Sequence, residues 1–231
     1  MPGWPRITSL FRDRGTSLGM VVVIMFVISL TQGAISYTLS PGERRFLPGY
    51  VSVLIARLVA MRFGLIALLA VLWVVKRKRI LLRVMIFSNA MFTLVLLGQT
   101  ISLLITLFGS SKAVFVLLLD VTFMAVSNIL IFSIWYWMID PPGVADLERD
   151  DEPWDFLFPQ RGGSLPHYES WVPQYTDYLF VAFTTSFAFS PTDTLPLTRR
   201  AKMLMLLQAS ISVVTITAIA GSAINILASR H

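Results

Sequence analysis

The chain has 231 residues, of which 55% are hydrophobic and only 14% charged, and it carries a net charge of +6. An average soluble domain is about a quarter charged, so a compact particle of this composition lacks the polar surface to stay in water and lipid is its better solvent. With no cysteine, disulfides, thiolate metal sites and cysteine nucleophiles are excluded.

A membrane span needs about 20 apolar residues, because the hydrocarbon core is roughly 30 Å thick and a helix rises about 1.5 Å per residue. Five stretches meet that requirement: 18–39, 50–75, 84–108, 113–139 and 203–228. The first is too long for a signal-peptide core of roughly 7–15 residues and no small-x-small cleavage site follows it, so it is expected to be retained. Ser40-Pro41-Gly42-Glu43-Arg44-Arg45 ends it. The basic run Lys76-Arg77-Lys78-Arg79 ends the second, and Gly109-Ser110-Ser111-Lys112 makes a hairpin after the third.

Residues 140–176 change character, with Pro, Gly and acids (Asp146, Glu148, Asp150, Asp151, Glu152, Asp155) among the aromatics Trp154, Phe156, Phe158, Tyr168 and Trp171. The acid spacing fits no EF-hand loop, so this is expected to be a solvated extramembrane loop whose aromatics meet the headgroups. Next, residues 178–190 are apolar over 13 positions, which makes roughly 20 Å of helix, too short to cross. Pro191-Thr192-Asp193-Thr194-Leu195-Pro196-Leu197-Thr198 and the basic Arg199-Arg200-Ala201-Lys202 follow. A short buried helix with irregular backbone after it is tolerated at membrane depth only beside protein or water, which is the signature of a re-entrant loop.

The expected fold is therefore an all-α integral membrane protein with five transmembrane helices plus one short re-entrant segment; the alternative is six transmembrane helices. Its parts are a cytoplasmic N-terminal segment (1–17), a four-helix transmembrane bundle (18–139), the acidic, aromatic loop (140–176) and the re-entrant helix with the final transmembrane helix (177–231). Lys and Arg set orientation. With the N terminus cytoplasmic and 178–198 re-entrant, 13 basic residues fall inside and 4 outside; with 178–198 spanning, the division is 11 to 6. Both favour a cell-membrane, multi-pass chain with its N terminus in the cytoplasm, and the re-entrant form fits better.

The residues Asp177-Tyr178-Leu179-Phe180-Val181-Ala182-Phe183-Thr184-Thr185 resemble the pore helix of the tetrameric cation-channel superfamily, and Pro196-Leu197-Thr198 looks like the Pro-x-Thr that opens the inner helix of many potassium channels. The run 183–227, with Ser190-Pro191-Thr192-Asp193-Thr194 and Asn225-Ile226-Leu227, is similar to a family of uncharacterised bacterial multi-pass membrane proteins, some labelled ion-channel-like. The resemblance implies a pore-loop protein that passes ions. The potassium-filter motif is absent: the Gly-Tyr-Gly position reads Phe187-Ala188-Phe189, and potassium filters need glycines to turn carbonyls to the axis.

On this reading Thr184, Thr185 and Ser186 end the short helix as polar lining, and Asp193 sits at the mouth. Arg57 and Asp120 each lie 7 residues inside helices running the same way, so the two are expected to form an intramembrane ion pair roughly 10 Å below one surface. Asn89, Gln99, Asn128, Ser212, Thr215, Thr217, Ser222 and Asn225 are further polar positions, by default interhelical hydrogen bonds. One re-entrant loop cannot enclose a pore alone, so conduction implies a homo-oligomeric ring. The expected partners are membrane lipid, a second copy, and ions or a small solute. Nucleic acid is excluded, because the basic residues flank apolar segments rather than forming an aromatic-interleaved face. No cofactor is implied, and His167 and His231 are too few for a metal centre. No nucleophile–base–orienter set appears, so the chain is not read as an enzyme. The rival function is a non-transporting scaffold or interaction protein, with a membrane enzyme third.

Overall fold

A computed structural model describes residues 19–35, 61, 63–72, 75, 78–109, 114–140, 154–162, 166, 171–188 and 193–228. Among these there are six α-helices, and the protein is mostly helical (87%). They are α1 (Gly19–Ile35) and α2 (Phe63–Leu72), α3 (Lys78–Gly109), α4 (Val114–Ile139), α5 (Tyr175–Ala188) and α6 (Arg199–Ala228). A two-residue strand pair, β1 (Phe156–Leu157) and β2 (Leu195–Pro196), joins the segments before and after α5.

Three helices carry stretches long and apolar enough to cross a bilayer: Ile80–Leu104, Leu117–Ile139 and Arg199–Gly221. The third, fourth and fifth apolar stretches of the sequence are thus single helices. α1 and α2 lie within the first two stretches, whose remaining residues, apart from Met61 and Val75, are outside the described ones. Helix α3 begins inside the basic run, at Lys78, rather than after it. Helix α6 starts at Arg199, four residues before the apolar stretch, because Thr198 accepts a hydrogen bond from the Ala201 amide (3.3 Å) as an N-cap.

Helix α4 is the centre of the packing. Over its apolar stretch 56% is buried inside the protein, against 33% for α3 and for α6. Much of what α3 and α6 leave outside is apolar, with Leu94 69%, Phe87 58%, Leu206 60% and Ile224 67% exposed. A soluble protein rarely tolerates such surface, whereas hydrocarbon solvates it. Many polar side chains have turned inward: Ser88, Asn89, Ser127, Asn128, Gln208 and Ser212 are all buried.

Helix α5 has 14 residues, about 21 Å of length. It starts two residues before the resembled pore-helix motif because Gln174 and Asp177 cap it reciprocally. The Gln174 amide donates to the Asp177 carboxylate at 2.6 Å, and the Asp177 amide to the Gln174 carbonyl at 3.1 Å. Burial raises the Asp177 carboxyl above its ordinary value, opposed by that Gln174 amide.

Candidate functional site

Two polar assemblies hold α5 between α4 and α6, one at its entrance and one near its tip. At the entrance, Asp140 is the first residue past α4. Its Oδ1 accepts the Asp155 and Phe156 amides at 2.8 and 3.0 Å. Its Oδ2 accepts the Tyr178 hydroxyl at 2.5 Å and pairs with Arg161 at 2.8 Å. Arg161 also donates to the Phe156 carbonyl at 2.9 Å, and its guanidinium lies 5.0 Å from the Trp154 ring centroid. Beside it, the fully buried Asp155 receives Thr198 and two nitrogens of Arg200, the closest at 2.6 Å. The Leu197 amide reaches the Asp155 carbonyl at 2.8 Å, which extends the β1–β2 pair by one bond.

This clamp contains two carboxylates and two guanidiniums, so it is neutral as a unit, and Asp140 accepts four hydrogen bonds. Such saturation is what makes a buried charge tolerable. Aromatic rings seal it. Phe156 stands edge-on to Tyr136 at 5.1 Å, and Phe158 packs on Tyr178 at 5.4 Å and on Trp171 at 5.5 Å. Asp155, Phe156 and Phe158 were expected in a solvated loop with aromatics toward the headgroups. They are buried in the protein, because the backbone and arginines around them satisfy the acids and leave the rings free to pack inward.

The second assembly turns on Gln208, nine residues into α6. Its Nε2 donates to the Ala182 carbonyl and to the Ser186 hydroxyl, both at 2.7 Å. Its Oε1 accepts the Tyr136 hydroxyl, and its carbonyl accepts Asn128 Nδ2 at 3.3 Å. Asn128 Nδ2 also meets Ser212 at 2.9 Å. One residue thus ties α4, α5 and α6 together. At about 1.5 Å per residue this knot lies roughly 14 Å from the start of α6.

The residues expected to line a pore divide between interior and surface. Thr185 and Ser186 are buried inside the protein's own bundle, Ser186 against Gln208. Thr184 is half-buried and folds its hydroxyl onto the Phe180 and Val181 carbonyls at 3.0 and 3.1 Å. Asp193 is exposed and accepts a long bond from Thr194 at 3.4 Å. The outer face of α5 is aromatic: Phe180, Phe183 and Phe187 are each about half exposed. Asp120 is fully buried in α4, while Arg57 lies outside the described residues, so their pairing does too. Asp140, Arg161, Tyr178, Arg200, Tyr136 and Gln208 were not anticipated as site residues. A lone Gln within the apolar run of α6 was the available signal for Gln208. Among the described residues no three His, Cys, Asp or Glu side chains group as metal ligands.

These helices, with apolar surfaces outside and polar groups knotted inside, are those of a multi-helix membrane protein. No family model, curated protein or solved structure matches the chain.

Proposed function

We propose that the protein is a cell-membrane protein with five transmembrane helices, a cytoplasmic N terminus and a re-entrant α5, and that it passes ions or a small polar solute. The observation that supports this reading is the β1–β2 pair. The chain enters α5 from the clamp, reaches the depth of Gln208 at Ser186, and is back beside Asp155 by Leu197. A helix that ends at mid-depth brings backbone that needs polar company there, and such helices border substrate and ion paths in membrane proteins. Under this reading the protein works as a homo-oligomer in lipid.

A second reading, a non-transporting scaffold, draws on one specific observation. Ser186 is occupied by Gln208 and Thr184 by its own backbone, while Phe180, Phe183 and Phe187 form the outward face. That face suits packing more than lining. Reconstituted vesicles separate the two readings. Conduction requires flux of at least one monovalent ion or small polar solute above that of empty vesicles. Wild-type protein silent across several ions and voltages removes conduction, and a monomer mass in detergent removes the ring.

A further inference from the structure

The middle of the bundle contains buried polar atoms that no described side chain or backbone group satisfies. They include Asn89 Oδ1, Asn128 Oδ1, Ser88 Oγ, Ser29 Oγ and Thr185 Oγ1, all in residues no more than 2% exposed. Natural proteins leave few such groups unpaired, and hydrocarbon offers them nothing.

The amide oxygens are not misplaced nitrogens. Asn89 Nδ2 donates to the Ile131 carbonyl at 3.2 Å and Asn128 Nδ2 to the Gln208 carbonyl at 3.3 Å. Turning either amide over would set two oxygens against each other. Thr185 is equally specific. Thr31, Thr93, Thr100, Thr122, Thr184 and Thr215 each fold their hydroxyl onto a carbonyl of their own helix. Thr185 does not, and the Ala182 carbonyl one turn before it is engaged by Gln208.

The five atoms come from α1, α3, α4 and α5, and hydrogen bonds made by these residues, or by residues within two positions of them, reach one turn of α4, residues 127–131, or its partner Gln208. Ser127 bonds Thr31 of α1 at 2.9 Å, two residues from Ser29. Ile131 receives Asn89 of α3. Asn128 and Ser186, the neighbour of Thr185, both bond Gln208. That turn lies 8 to 12 residues before Ile139, about 12–18 Å in, the middle of a core roughly 30 Å thick.

We propose that these groups form an internal water site at mid-membrane, in which water molecules donate to the Asn89 and Asn128 oxygens and exchange hydrogen bonds with Ser29, Ser88 and Thr185. Water fits the chemistry better than a bare cation. The atoms are neutral, two are pure acceptors, and a hard cation takes about 6–8 oxygens, usually with carboxylates among them. Water brings two donors and commonly makes about three bonds in a protein interior. The site stands independently of conduction, although it would place polar passage inside each chain rather than on a ring axis.

Hydroxyl-radical footprinting of the full chain in lipid vesicles tests it, since radicals form from water and oxidise what water touches. Met124 and Phe132, fully buried and one turn either side of Asn128, should be oxidised several-fold faster than Phe87 and Leu94, which are exposed on α3 and would face lipid in the proposed topology. Asn128→Leu combined with Asn89→Leu should bring them down to the lipid-facing rate. Thr185→Val, which keeps the shape, should lower them in part with the fold intact. Interior labelling at the lipid-facing rate in wild type overturns the site, as does labelling that both variants leave unchanged. Replacing N-methylglucamine by sodium or potassium should have no effect; suppression by either ion assigns the oxygens to a cation and overturns water. Strong interior labelling in vesicles silent for flux upholds the water site and removes conduction, whereas flux with a dry interior does the reverse.

Discussion

Asp140 carries more of the clamp than any other side chain, because its two oxygens accept from two amides, a tyrosine and an arginine. Arg161 is 4% exposed at its side chain, so neutralising Asp140 takes an ion-pair partner from a buried cation. Asp140→Asn should therefore cost about 3–5 kcal/mol, read as a loss of thermal stability in detergent. Tyr178→Phe, which removes one bond to a charged acceptor, should cost only about 1.5–3 kcal/mol. Equal losses in the two variants would mean that the charge is not what holds the clamp. Little of this was legible in the sequence. Asp155 and Arg200 are 45 residues apart, and each looks like ordinary loop or boundary chemistry: an acid among acids, and a basic residue at a span end. Hydropathy senses the cost of placing a group in lipid but not which distant group will cancel it.

At the scale of elements, the apolar helices were legible because length and composition decide them. Stretches 84–108, 113–139 and 203–228 lie within α3, α4 and α6 apart from Ala113. β1 and β2 were not, because two-residue strands have no periodicity to read and depend on the clamp to bring them together. Thr185 and Ser186 lie in the last turn of α5; which way they face is hidden in the sequence, since it depends on Gln208 opposite. That dependence has a consequence for α5. Gln208→Leu takes from the buried Tyr136 and Ser186 hydroxyls, and from the Ala182 carbonyl, the bond each makes to its side chain, at about 1–3 kcal/mol for each hydroxyl left unsatisfied. Hydrogen exchange should then accelerate in the second half of α5 much more than in α4, whose packing against α6 is otherwise retained. Uniform acceleration across all helices would show that Gln208 supports the bundle as a whole and not the α5 tip.

For the whole molecule, orientation follows from charge. The excess of Lys and Arg on one side puts the clamp, α5's entrance and Asp193 in the cytoplasm under the proposed topology. A single cysteine at Ser110, which lies outside the described residues, should react with impermeant thiol reagents added outside intact cells. One at the exposed Asp193 should react only after permeabilisation, and external labelling there would invert the topology. Asp193 also divides the two functional readings. It is the last acid in the chain, exposed, and only six residues before α6. An acid at the mouth of a cation path raises the local cation concentration. If the protein conducts cations through this mouth, Asp193→Asn should reduce cation flux in vesicles while the oligomer's mass and thermal stability stay at wild-type values. If the protein is a scaffold, the carboxylate's work is local, accepting from Thr194 in a turn beside proline. The same substitution then lowers thermal stability, and there is no wild-type flux for it to change.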